Sequence, residues 1–216
     1  MAHRKGNVRS TWDADLAYVI GVIATDGNLS PDLRHLHITS KDYEMVVNCR
    51  KCLNIKNKIG KKARGGSQDK KYYVLQFGDK NFFEFLLKLG LTPRKSKTIS
   101  KLKIPNEHFL HFLRGCIDGD GSISIWRHPE SKYQQCTLRL CSASEAFLEW
   151  ILKSCRKLFF IEGGTILHFK NSSVYTLRFG TEDSINILKM IYPKNVVCLS
   201  RKKKYALKVL MPGWRN

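Results

Sequence analysis

Val19-Ile-Gly-Val-Ile-Ala-Thr-Asp-Gly27 and Leu113-Arg-Gly-Cys-Ile-Asp-Gly-Asp-Gly121 are the two stretches whose reading decides the fold. Each is mainly apolar, has a glycine in third place, and ends in Asp-Gly. Residues 15–24 are almost uninterrupted apolar residues and read as a buried helix, with 108–118 as its counterpart. Gly21 with Thr25, and Gly115 with Gly119, are small residues four apart. That spacing puts each pair on one helix face, where a second backbone can come close. The two helices are therefore expected to pack on each other, with Asp26 and Asp120 brought together at their ends. Gly27 and Gly121 are expected to let the chain leave each helix sharply.

Working outward, the similarity extends to the rest of the chain. Tyr73-Val-Leu-Gln-Phe-Gly78 recurs as Tyr175-Thr-Leu-Arg-Phe-Gly180, and Leu36-His-Ile-Thr-Ser40 as Leu138-Arg-Leu-Cys-Ser142, both 102 residues further on. The two opening stretches are 94 apart, and the difference of eight fits a longer hairpin loop around 128–132 in the second copy. The chain reads as two copies of one unit, 12–91 and 108–210, joined by a linker at 92–107. In each copy the leading helix is followed by two strands, a helix (41–53 or 144–159), two strands (58–64 and 72–78, or 165–170 and 174–180) and a closing helix (81–89 or 183–191). The expected fold class is α+β: two pseudo-symmetric αββαββα units whose antiparallel sheets form a saddle.

Period-two alternation assigns the sheet faces. Leu36 and Ile38 alternate with His35, His37 and Thr39, and Leu138 and Leu140 with Thr137, Arg139 and Cys141. One face is apolar and the other polar or basic, as a solvated outer face would also be. Net charge favours DNA over bare solvent: 38 Lys and Arg against 18 Asp and Glu leave +20. No run of apolar residues is long enough to span a membrane. The polar N-terminus lacks the apolar core of a signal peptide, so a cytoplasmic or organellar-matrix location without secretion is expected. Cys49 and Cys52 form a C-x2-C, but no second pair follows at metal-ligand spacing, which favours buried thiols over zinc. Asp118-Gly-Asp-Gly-Ser-Ile-Ser124 mimics the start of a calcium-binding loop, yet Pro129 stands where the closing Glu belongs.

The two opening stretches resemble the LAGLIDADG motif of homing endonucleases, of the single-chain, two-motif, monomeric type. The second copy is close; the first has Ala24 where the second has Asp118. The resemblance covers 12–210 and implies a site-specific double-strand DNA endonuclease acting on a long asymmetric target. It implies cutting across the minor groove, one strand per active site, to leave short 3′ overhangs. Asp26 and Asp120, with backbone near Thr25 and Gly119, would hold two or three shared Mg2+ ions, for which Mn2+ or Ca2+ can substitute. Lys95 and Lys202 are the implied active-site bases, with Arg94 and Lys203 as competitors. His37 and Arg139 stand where relatives orient water.

Expected DNA contacts in the first half are Asn28, Ser30, Arg34, His35, His37, Thr39, Lys61, Arg64 and Gln76. In the second half they are Ser122, Ser124, Trp126, Arg127, Gln134, Thr137, Arg139, His168, Lys170, Thr176 and Arg178. Two other readings fit the same fold and charge: a maturase that binds intron RNA, and a catalytically silent DNA-binding regulator. Retention of both Asp26 and Asp120 speaks against the silent form.

Overall fold

Asp13 starts the first unit: its carboxylate accepts the Leu16 N–H at 2.7 Å and caps helix α1 (Ala14–Asp26), whose residues 16–24 are all buried. In this computed structural model, which describes residues 8–63 and 68–215, six further elements complete that unit. They are β1 (Gly27–Leu29), β2 (His35–Ser40), α2 (Tyr43–Cys52), β3 (Ile59–Lys62), β4 (Tyr72–Gly78) and α3 (Lys80–Leu89). The second unit repeats the order with α4 (Phe109–Asp120), β5 (Gly121–Arg127), β6 (Gln134–Ser142), α5 (Glu145–Phe159), β7 (Thr165–His168), β8 (Tyr175–Phe179) and α6 (Thr181–Ile191). A last helix, α7 (Ser200–Leu210), follows. Both sheets are antiparallel, with strand orders β1-β2-β4-β3 and β5-β6-β8-β7.

The repeat is kept residue by residue. Leu36 pairs with Phe77 and Ile38 with Leu75 in one sheet; Leu138 pairs with Phe179 and Leu140 with Leu177 in the other. These side chains are buried against the helices that cover one face of each sheet, leaving the opposite face open. The extra residues of the second copy mostly lengthen strands rather than a loop: β5 has 7 residues against 3 in β1.

Helices α1 and α4 pack against each other between the two sheets. A Cβ on Gly21 would run into the Phe112 carbonyl oxygen and stand 3.0 Å from Gly115 Cα, and one on Gly115 would run into the Tyr18 carbonyl oxygen. The two backbones touch where the small residues predicted contact. Gly27 and Gly121 differ from expectation in one respect. Both have extended backbone, φ −84° and −87°, so left-handed freedom is not their reason. A Cβ on Gly27 would lie 2.6 Å from Ile23 Cα, and one on Gly121 2.5 Å from the Ile117 oxygen, so only glycine lets a strand leave the helix that closely.

In the linker Lys95–Lys97 form one 3-10 turn, reached through Arg94 in the left-handed region at φ 57°. Only the second copy has the further helix, α7. Among the described residues, no helix is long and apolar enough to cross a membrane.

Candidate active site and nucleic-acid interface

Asp26 and Asp120 are the last residues of the paired helices. Asp26 is half-buried and Asp120 exposed, and both line an open cleft of about 840 Å³. Its walls come from Thr39 and Lys62 of the first sheet, Cys141 of the second, and Thr92, Arg94 and Lys95 of the linker. The acids therefore stand on the floor between the open faces of two sheets.

Two buried lysines support this floor, each only 5% exposed. Lys95 donates to the Gly27 carbonyl oxygen, and burial pushes its ammonium down to about 8, against the pull of Asp120 and Asp26. Lys202 donates to the carbonyl oxygens of Ile117 (2.5 Å), Asp118 (2.7 Å), Gly119 (3.3 Å) and Gly121 (2.8 Å). It thereby caps the negative end of α4, and burial again lowers it to about 8 while Asp118 opposes. Of the competitors, Arg94 lines the cleft but is exposed, while Lys203 reaches out to the Pro193 carbonyl. The Thr25 hydroxyl donates back to Gly21 and Val22, and the Gly119 carbonyl already serves Lys202.

Among the described residues no three His, Cys, Asp or Glu side chains are grouped to hold a metal by themselves. Two hard carboxylates facing an open cleft do fit a divalent cation that completes its shell with water and phosphate, the usual mode for magnesium. Cys49 and Cys52 are free thiols of α2; Cys49 is fully buried and burial raises both, as buried thiols rather than ligands.

Asp118 is a structural acid. It is 1% exposed and accepts Tyr18 Oη (3.0 Å), Tyr192 Oη (2.6 Å) and the Leu199 N–H (2.7 Å). Burial raises its carboxyl above the usual range despite those bonds. It points away from the cleft while Asp120 lines it, and β5 starts at once, so no calcium loop forms. Arg114 of the same motif is also buried, donating to the Val197 and Ile191 carbonyls. Together they fix the segment that delivers Lys202, a support that no motif in the chain announces.

Strand register sorts the expected DNA contacts. Asn28, His37 and Gln76 share one row across the open face of the first sheet, and Thr39 lies in the next. Burial and the Lys62 charge both lower His37, which keeps it neutral at pH 7. Ser30 and Arg34 border His35, whose ring is held by Asp32 (2.5 Å). In the second sheet Ser122, Ser124, Trp126, Arg139, Thr176 and Arg178 occupy the open face.

Several expectations are corrected. Lys61 pairs with Tyr73, in step with Ile59 and Leu75, so it lies on the helix side with its ammonium 5.4 Å from the Tyr73 ring. Lys62 takes the open face instead. Arg127, Gln134 and His168 likewise fall on the helix-side parity, His168 stacking on Tyr175 at 4.2 Å. Thr137 has the right parity but is buried under Trp126, whose Nε1 donates to it at 3.5 Å. Lys170 is in the turn after β7, and Arg64 lies outside the described residues. Gln135 and Thr165 were missed on the open face; correct register would have found them.

No protein-family model and no curated protein matches the chain. Solved structures match along nearly its whole length. The homing endonuclease I-WcaI bound to its DNA recognition sequence aligns with a TM-score of 0.62 at 14% identity, over 90% of this chain and 88% of that one. I-DmoI in complex with DNA and Ca aligns at 0.59 and 17% identity, over 92% and 98%. The N-terminal LAGLIDADG domain of DUF199/WhiA aligns at 0.57 and 16% identity, over 94% and 100%. The chain spans only 62% of full-length DUF199/WhiA from Thermotoga maritima. At these identities the likeness shows the fold: two LAGLIDADG units in one chain.

Proposed function

Because the chain carries the LAGLIDADG fold, we propose that it is a site-specific double-strand DNA endonuclease in which Asp26 and Asp120 hold divalent cations, magnesium foremost. One observation carries this reading. Two helices whose backbones touch at Gly21 and Gly115 each end in an acid at the cleft, beside a buried lysine. Neither acid is needed there to fill a core. The neighbouring I-DmoI has been crystallised with DNA and Mn and with DNA and Ca, in keeping with a divalent site.

The sheets would dock on the duplex with their open faces and bring one phosphate of each strand toward the floor. Bound metal would activate water and stabilise the departing 3′ oxygen. Asp26 and Asp120 supply its carboxylate ligands. Lys95, charged at neutral pH, offsets negative charge gathered around the phosphates. Lys202 holds the end of α4, and thus Asp120, in place. Both acids belong to one chain, so a monomer suffices. The two open faces differ at nearly every equivalent position, which calls for an asymmetric target.

Selection of cleaved sites from a randomised duplex library in magnesium tests the reading. Double-strand cuts at one long asymmetric site are expected. Tight binding at such a site without cutting would make the protein a DNA-binding regulator, and absence of any preferred duplex would turn attention to intron RNA.

A further inference from the structure

Across the second sheet one row of the open face runs Ser122, Arg139, Arg178, Thr165, one residue from each strand. Arg139 and Arg178 sit directly opposite each other on the two central strands, so their Cβ atoms are about 5 Å apart. Like charges in that relation are destabilising. Among the described residues no carboxylate pairs with either guanidinium. The same row of the first sheet holds Asn28, His37 and Gln76, with His37 neutral. At one symmetry-related place, then, one half presents two adjacent cations and the other presents none.

We infer that Arg139 and Arg178 read guanine bases in the half-site beneath the second sheet, at the place where Gln76 gives the other half an uncharged reading. This rests on the DNA-binding reading above but not on cutting. The row lies two residues along β6 from Cys141, which lines the cleft. At about 3.4 Å per residue that is about 7 Å, or about two base-pair steps, from the cleft wall. Arg139 and Arg178 lie on the two central strands of the sheet and not on an edge strand. A guanidinium fork matches the O6 and N7 acceptors of guanine in the major groove, and Gln in the same place matches adenine N6 and N7. Guanine acceptors would also relieve the repulsion between the two arginines.

The test is selection of bound duplexes from a randomised library in calcium, followed by affinity measurements on single-base variants over a range of salt. Wild type, Arg178→Gln and Arg139→Gln are compared. Wild type is expected to select guanine at two positions in one half-site only. Arg178→Gln should lose discrimination for guanine at one of them by about ten- to hundred-fold and accept adenine there, with other positions unchanged. An equal loss of affinity on every duplex, with the salt slope smaller by about one, would mean a phosphate contact and overturn the inference. So would selected sites without guanine in either half. A selected, guanine-bearing site that is not cut in magnesium would uphold it while sinking the nuclease reading, and failure to select any duplex would sink both.

Discussion

Lys95 places its ammonium against the Gly27 carbonyl, and burial holds it down to about 8 instead of 10.5 although the charges of Asp120 and Asp26 pull the other way. It is therefore mostly charged at pH 7. Because burial lowers the folded pKa, the unfolded chain binds this proton more tightly. The penalty is fully present below about pH 8 and is relieved as pH rises from about 8 toward the unfolded value near 10.5. Lys202 acts in the same direction. Lys95→Met should thus raise stability at pH 7 by about 1–2 kcal/mol, after allowing for the lost hydrogen bond, as read by denaturant unfolding. Cutting by the wild type should decline as pH passes about 8, and Lys95→Arg, charged throughout, should abolish that decline. A wild-type rate indifferent to pH between 7 and 9 would mean the charge is not used. At this scale the repeat placed Asp26 and Asp120 at matching helix ends, whereas Lys95 and Lys202 were singled out only through the family resemblance, with Arg94 and Lys203 as competitors. The sequence could not separate Lys61 from Lys62: a four-residue strand reading Ile-Gly-Lys-Lys has no alternation to fix its parity. Nor could it show Thr137 covered, which depends on how Trp126 folds over it.

Helix pairing was the most legible element, since small residues four apart mean little else when two copies carry them. Gly115→Ala would drive a methyl into the Tyr18 backbone, which cannot move aside like a side chain. The expected cost is about 3 kcal/mol or more in chemical unfolding. A loss under 1 kcal/mol would show that α1 and α4 are not in this contact. Asp118 was the least legible. In sequence it marks only a mismatch with Ala24 and the start of a calcium-loop mimic, yet it ties α4 to Tyr18, Tyr192 and the start of α7. The symmetry-related pair is Phe112 of the second copy and Ala24 of the first, so hydroxyl and carboxyl are absent together. Asp118→Asn should destabilise by about 1–3 kcal/mol and speed amide exchange in α7, with less effect in α1. Because α7 carries Lys202, cutting should fall as well, without change in which site is chosen.

The whole molecule is held as one body by contacts between its halves. Arg201 of α7 makes two hydrogen bonds to Asp42 (2.9 and 2.7 Å), Ser200 donates to Glu44, and the Ser144 hydroxyl bonds Ile99 of the linker (2.5 Å). The repeat announced two halves, but these ties involve residues that do not match between copies and were not foreseeable. With a net charge of +20, binding to duplex DNA should weaken steeply with salt, by about a thousand-fold or more between about 50 and 200 mM, as followed by fluorescence anisotropy. A shallow slope would mean that the open faces do not track the phosphates. Whether the floor of the cleft is a nuclease centre is tested most directly on a supercoiled plasmid carrying the selected site. Wild type, Asp26→Asn and Asp120→Asn are compared with magnesium and with a chelator. Linear product from the wild type in magnesium alone, and none from either variant although both still bind the site, is the predicted result. Undiminished cutting by both variants, or cutting that persists in chelator, would contradict it.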